Sequence, residues 1–456
     1  MKRARDGNPA SPAVVWLAAA GLFVHALDAS LVNVSLPAIA AELGVDPLAM
    51  HSVLIAYLLT VAVVTPLTGV LADRFGVRKA YRGGLLLFCL GTGLCALAPS
   101  LELLLAARVL QAVGGAMLLP LGRLAVLRTH AVEQRTAALA FVGLPGLVGP
   151  LIGPALGGLL VEHAGWRWVF LVTVPPALLS AELVRRRMPA LNWDTLHRFD
   201  WRGYVLIATT TLSIVLGLRA LAGSQTGMGG LLLAAGAIGG AVYLRHARGN
   251  PAALLPLTPF RNTRYALGMA GNCISRIGSG AMPFMLPTLL QVGLGFDPAR
   301  AGLLMLAAGT GALSSKTLVD RLIRRWGHGE VMIASGFALS TIITGFVLSH
   351  HFPLAGLVVF LFLYGAVNSL LITCLNTFTL ARLDDASISA ANSTFSLAVQ
   401  LSASVAVSIA GALLQTAQRF GAAPRDAIGM ALLGLAIFPV AAACIFLRWK
   451  RRSDAA

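Results

Sequence analysis

A chain of 456 residues that is 57% hydrophobic and only 12% charged lacks the polar surface that a soluble globule of its size needs. Its mean hydropathy of +0.80 indicates a polytopic helical membrane protein instead. The net charge of +17 is no sign of nucleic-acid binding, because the basic residues stand in short gaps between apolar runs, where they set topology and meet anionic lipid.

Fourteen apolar runs are long enough to span a bilayer: 14–37, 51–71, 81–98, 101–122, 136–160, 167–185, 203–222, 229–245, 265–290, 299–319, 330–349, 353–379, 388–415 and 427–447. The first is too long for a signal-peptide core and has no convincing cleavage site, so it reads as a retained span. With the N-terminus in the cytoplasm, the cytoplasmic segments carry 28 of the 35 Lys and Arg, and the opposite side carries five. Arg108 and Arg276 are left within spans. That asymmetry expects both termini to be cytoplasmic. The longest gaps, 185–203 and 245–264, isolate a central pair of spans with six before and six after. The expectation is an all-α transporter of two six-helix bundles around a central site, plus two extra helices. Its divisions are a tail 1–13, a first bundle 14–187, linkers and the extra pair 188–263, a second bundle 264–447 and a tail 448–456.

In the first span His25 and Asp28 stand three residues apart and share a helical face. A carboxylate there is costly unless paired, protonated or wet, which makes Asp28 a functional candidate, with a structural hydrogen bond as the bland alternative. Val32-Asn33-Val34-Ser35-Leu36-Pro37 follows. Between spans two and three, Gly69-Val70-Leu71-Ala72-Asp73-Arg74-Phe75-Gly76-Val77-Arg78-Lys79 packs charge and glycine into a tight turn. Asp73 is the odd acid in this basic loop and suits a helix N-terminus or a fixed arginine nearby. Span four carries Arg108-Val109-Leu110-Gln111-Ala112-Val113-Gly114; Arg108 either pairs, Asp28 being one partner, or snorkels to the headgroups. In span five, Gly149-Pro150-Leu151-Ile152-Gly153-Pro154-Ala155-Leu156-Gly157-Gly158 should stack glycines and prolines on one side as a dry, kinked seam.

The second half contributes Asn272 and Arg276 in span nine, Tyr364, Asn368 and Asn376 in span twelve, and a stripe in span thirteen of Ser389, Ser393, Ser396, Gln400, Ser404 and Ser408. Such a stripe lines a wet cavity or glues helices; Gln400 with Arg276 favours the cavity. Asp384-Asp385 is placed to stabilise the N-terminus of span thirteen. Asp320-Arg321 after span ten reads as a degenerate copy of Asp73-Arg74 after span two. Five cysteines lie in apolar runs without metal spacing and read as inert packing. No phosphate-binding G-x-x-x-x-G-K-[ST] run, zinc spacing or nucleophile elbow occurs, so the reading is neither an ATP-driven pump nor an enzyme, with no cofactor or metal.

The Gly69–Lys79 loop resembles the G-x-L-A-D-R-x-G-x-R-K motif of the major facilitator superfamily. L-D-x-x-x-V-N-x-x-L-P around Asp28 is similar to its proton-coupled drug exporters, although Ser35 stands where alanine is usual. Arg108 to Gly114 resembles the family's R-x-x-Q-G-x-G, with Ala112 in place of glycine, where the arginine is linked to proton coupling. The span-five run resembles the motif that marks exporters, and Trp166-Arg167-Trp168-Val169-Phe170 the entry to span six, with Thr173 where asparagine is usual. Over nearly its whole length the chain resembles the fourteen-span drug:proton antiporters. Gly114 to Met117, Gly122 to Leu124 and Arg276 to Gly280 are most similar to the MdtD-type multidrug exporters of bacteria.

The resemblance implies a monomeric, multi-pass inner-membrane antiporter that exchanges protons for small molecules by alternating access. Proton coupling is expected at Asp28, with His25 and Arg108 beside it. The expected substrate cavity holds Asn33, Gln111, Asn272, Arg276, Asn368 and Gln400. Gly69, Asp73, Arg74, Gly76, Arg78 and the span-five motif Gly149, Pro150, Gly153, Pro154, Gly157 and Gly158 are expected to serve conformational change. One deep acid against two deep arginines favours neutral or anionic cargo, such as an organic acid or its metal chelate, over the cations a multidrug label suggests; the main alternative is that Arg276 pairs with Asp28 across the bundles and leaves the cavity neutral. An uncoupled facilitator, which would not need Asp28, and an importer are the rival classes.

Overall fold

The computed structural model describes residues 12–130, 132–190, 199–222, 225–250, 253–380 and 385–454, and among these all regular elements are helical. The first bundle holds α1 (Pro12–Leu43), α2 (His51–Val64), α3 (Leu67–Phe75), α4 (Val77–Ala96), α5 (Leu101–Thr129), α6 (Val132–His163), α7 (Arg167–Leu171) and α8 (Val174–Arg187). An accessory pair follows, α9 (Trp201–Ala222) and α10 (Thr226–Gly249). The second bundle holds α11 (Thr263–Ser279), α12 (Met282–Thr288), α13 (Pro298–Gly345), α14 (Leu354–Leu380), α15 (Asp385–Arg419) and α16 (Pro424–Asp454).

Eleven described helical runs are long and apolar enough to cross a membrane. One of them, Pro298–His351, has 54 residues where a single crossing takes about 20. It is folded in two at Gly327, whose φ of 77° and ψ of 163° are open only to glycine. Helix α4 and the α11–α12 run supply the crossings left over, in line with fourteen spans.

Gly327 also corrects the reading of the internal repeat. Gly76 has φ 78° and ψ 149°, nearly the same conformation, at the turn between α3 and α4. Arg74 lies over the Phe75 ring just before Gly76, and Arg325 over the Trp326 ring just before Gly327. The two copies therefore align glycine on glycine, so Asp73 corresponds to Arg324 rather than Asp320. The charge at that one position has reversed while the backbone turn has been kept.

The bundles meet at one end of the molecule, the end away from the basic loops. There α6 lies against α13 so closely that a Cβ on Gly158 would fall 2.1 Å from Pro298 O, and one on Gly302 would fall 2.2 Å from Pro154 O. His51 of α2 presses on Gly411 of α15 in the same way. Among the described residues three hydrogen bonds cross there: Gln291 Nε2 to Val34 O (2.9 Å), Ala299 N to Glu162 Oε2 (3.1 Å) and Gln418 Nε2 to Asp46 Oδ2 (2.6 Å). This closed end sets the state of the molecule. Outside the bundles, α9 and α10 pack on each other, with α9 resting on α15 and α2.

Their spacing predicts that the glycines and prolines of α6 share one side, and they do not. Gly149, Gly153 and Gly157 face α1, against Leu27, Ser30 and Leu31, within their own bundle. Pro154 and Gly158, each offset by one residue, face α13 of the other. A step of one residue turns a helix by about 100°, so the motif serves two interfaces at once.

Candidate functional site: a buried ion network in the first bundle

Gly149 and Gly153 let α6 press on α1 at Ala26, Leu27 and Ser30, the turn that carries Asp28. Asp28 is wholly buried and Arg108 is 1% exposed. Arg108 Nη1 donates to Asp28 Oδ2 at 3.1 Å, so the arginine does not snorkel. Gln111, one turn on in α5, completes the site. Its Nε2 donates to Asp28 Oδ1 and to Thr92 Oγ1, both at 2.8 Å. Its Oε1 accepts from Arg108 Nη1 at 2.5 Å and from the Cys95 thiol at 3.8 Å. All hydrogen-bonding capacity of that amide is used, which pins its orientation. Gly91 and Gly114 make this possible. A Cβ on Gly91 would overlap the backbone of Gln111, and one on Gly114 the backbone of Phe88, so α4 and α5 approach closely enough for Thr92 to reach Gln111.

The guanidinium of Arg108 lies over the Tyr57 ring at 4.3 Å from its centroid and faces Phe170 at 5.9 Å. The Tyr57 hydroxyl and His25 Nδ1 share a hydrogen bond of 2.9 Å. His25 is thus joined to the ion pair through the Tyr57 ring and not by a direct bond to Asp28. With Asp28 ionised the pair is neutral. A proton on Asp28 would leave the Arg108 charge buried without its counter-ion, and breaking a buried pair costs about 3–5 kcal/mol. Such a step requires water, an incoming anion or a rearrangement of the helices.

At the basic end, Asp73 pairs with Arg128 of α5 at 3.4 Å, the fixed arginine its setting calls for. Arg78 Nη1 donates to Met188 O, just past α8, at 3.4 Å. Arg74 and Gly69 are exposed. The loop thus ties the α3–α4 turn to the ends of two other helices of its own bundle.

The expected cavity residues divide. Gln111 belongs to the buried network and not to a cavity wall. Asn272 is also fully buried: it donates to Asn376 Oδ1 at 2.8 Å and accepts from Arg276 Nε at 2.7 Å, so it holds Arg276 in place. Asn33, Arg276, Asn368 and Gln400 are half-buried, and Asn368 Oδ1 has no hydrogen-bond partner. Arg276 has no carboxylate within ion-pair distance among the described residues, whereas Asp28 is taken by Arg108. The span-thirteen stripe splits: Ser404 and Ser408 are buried and Ser408 Oγ donates to Ser404 O, while Gln400 stays accessible. Ser389, Ser393 and the Asp384-Asp385 pair lie outside the described side chains.

The profile of the Major Facilitator Superfamily matches residues 18–407. The chain belongs to this superfamily. Curated relatives called "Putative multidrug resistance protein MdtD" are 45% identical over 407 residues in Cronobacter sakazakii and 44% identical over 408 in Escherichia coli (strain SMS-3-5). Each alignment covers 88% of this chain and 85% of the relative. Among solved structures, the POT family transporter PepTSo is similar with a TM-score of 0.71 at 15% identity, covering 98% of this chain and 99% of its own. The xylose transporter XylE from E. coli gives 0.62 at 14%, covering 96% and 97%. At such identities the likeness is one of fold.

For this superfamily member, sequence reasoning missed Tyr57, Thr92 and Cys95 as parts of the ion network. Each sits in an apolar run with nothing in its spacing to connect it to Asp28. A tyrosine deep in a span is the one usable signal, because a buried hydroxyl seeks a partner. Cys95, read as packing, donates into the network instead.

Proposed function

We propose that this major facilitator transporter is a proton-coupled exporter of small molecules, working by alternating access between the bundles 14–187 and 264–447. In this reading it lies in the bacterial inner membrane with both termini cytoplasmic, and the closed end is the outer one. The basic loops support that orientation. The single observation carrying the coupling is the buried Asp28–Arg108–Gln111 network, an acid whose charge is balanced inside one bundle. Proton arrival at Asp28 unbalances Arg108, and that imbalance favours the arrangement in which the site is wet. The multidrug resistance relatives and the span-five motif support the export direction.

The test is transport in proteoliposomes under an imposed pH gradient. Asp28→Asn keeps the shape and removes the charge, and it should abolish gradient-driven accumulation while leaving substrate binding. Uphill transport by the variant would move the proton site elsewhere.

A second reading, that the cargo is an organic anion or its metal chelate, is favoured by Arg276. This half-buried cation is held by Asn272 and lacks a carboxylate partner among the described residues. A planar guanidinium so presented can hold a carboxylate by two hydrogen bonds. Arg276→Gln should cost anion export selectively. Robust export of permanently cationic dyes by the wild type would sink this reading.

A further inference from the structure

We propose that the groove between the accessory helix pair and the transport core binds one acyl chain of an anionic phospholipid, drawn from the inner leaflet. The leaflet rests on the orientation proposed above. A cavity of about 330 Å³ opens between α9, α10 and α15, walled by Ile207, Ile214, Gly240, Leu244, Leu401 and Val405. That volume falls at the lower end of ligand pockets, roughly 300–1,000 Å³. A narrower gap lined by Pro66, Tyr204 and Leu401 continues it toward the first bundle. The groove therefore touches the accessory pair and both bundles.

Its end near the basic loops is built, not left open by chance. The Tyr243 hydroxyl donates to Leu255 O at 3.1 Å and accepts from Leu255 N at 2.7 Å, and both residues line the groove. Beside them, Asp200 accepts from Gly203 N (2.9 Å), His246 Nε2 (2.9 Å) and Leu254 N (3.1 Å). This clasp fixes the linker after α10 against the start of α9.

The chemistry selects the occupant. The walls are mostly aliphatic, interrupted by Thr210, Thr211 and Tyr243; the Thr211 and Tyr243 hydroxyls are taken up by Ile207 O and Leu255 O, and the buried Thr210 Oγ1 has no hydrogen-bond partner. A helix, about 10–12 Å across with its side chains, is too wide for a slot of this volume, whereas a methylene chain is not. Arg245 and Arg248 are exposed near the C-terminal end of α10, and Arg248, in its last turn, lies one turn past Leu244 on the same face. Asp200, the nearby acid, is occupied by the clasp. A hydrocarbon slot with arginines beyond its mouth matches a lipid whose phosphate carries net negative charge.

The experiment uses the full-length protein, stripped of lipid in mild detergent and titrated with dioleoyl phosphatidylglycerol or phosphatidylcholine under native mass spectrometry. One saturable phosphatidylglycerol adduct is expected, with a preference over phosphatidylcholine on the order of thirtyfold from two interfacial arginines. Gly240→Leu should fill the slot: a Cβ there meets only Thr210 Cγ2, at 3.9 Å, so the backbone is not strained. The saturable adduct should be lost while circular dichroism is unchanged. Val405→Trp fills the slot from the opposite wall, should the first variant fold poorly. Arg245→Gln with Arg248→Gln should remove the headgroup preference and keep the adduct. Absence of a saturable adduct, wild-type affinity in both filled variants, or competition by soluble glycerol phosphate would overturn the proposal. So would a dimer abolished by the filling substitutions, which would make the groove a contact between two copies.

Discussion

Gly302 tests the idea that the α6–α13 seam belongs to one state only. A Cβ at this position would stand 2.2 Å from Pro154 O and 2.9 Å from Pro154 C. Both are backbone atoms of a helix, so no rotamer relieves the overlap, and α6 and α13 must part by roughly 1 Å to regain contact distance. Overpacking of this kind typically costs about 1–3 kcal/mol. The two helices belong to different bundles, so the cost falls on the closed end and vanishes once that end opens. At tenfold per 1.4 kcal/mol, Gly302→Ala should move the closed-to-open equilibrium about five- to 140-fold toward opening. Gly153→Ala is the matched control. Its Cβ would stand 2.4 Å from Ser30 Cβ, within a single bundle, so its penalty is common to both states. Spin labels at the exposed positions Ala164 and Ala423, on a cysteine-free background, report the width of the closed end by pulsed electron resonance. Gly302→Ala should add a long-distance population that Gly153→Ala does not. An unchanged distance distribution in Gly302→Ala, or an equal shift in both, would refute the reasoning.

Gly327→Ala should lower thermal stability, because an alanine at φ 77° and ψ 163° is strained by about 1–3 kcal/mol, whereas Gly329→Ala, with only a ring atom at 3.9 Å, should not. The clasp at Asp200 should loosen in acid. Burial pushes that carboxyl up, but the Gly203 amide, His246 and the Leu254 amide outweigh it and hold it below its ordinary value. A depressed carboxyl stabilises the fold above its unfolded value of about 3.9 and stops doing so as pH falls through the lower folded value. Hydrogen-exchange protection at the Leu254 and Leu255 amides should therefore be flat above about pH 5 and fall below about pH 4. Asp200→Asn should remove that acid dependence.

The all-helical membrane fold and the superfamily were legible in the sequence, and so was a charge asymmetry that carries the proposed orientation, because a bilayer acts on the chain residue by residue. An apolar run must be about 20 residues long to cross, and arginines collect on one side whatever the helices pack against. The candidate acid was legible for the same reason: Asp28 is costly wherever its span ends up. Its partners were decided by tertiary structure. Gln111 reads as a cavity residue along the chain, and only the close approach of α4 and α5 at Gly91 and Gly114 turns it into the bridge between Asp28 and Thr92. Tyr57 joins His25 to Arg108 from a third helix, a link that no spacing in one dimension can express. The same holds for the span-five motif. Its period predicted a glycine seam, but that Gly149, Gly153 and Gly157 serve α1 while Gly158 serves α13 depends on where those helices lie. Periodicity fixes the faces of a helix, and only the packed structure says what each face meets.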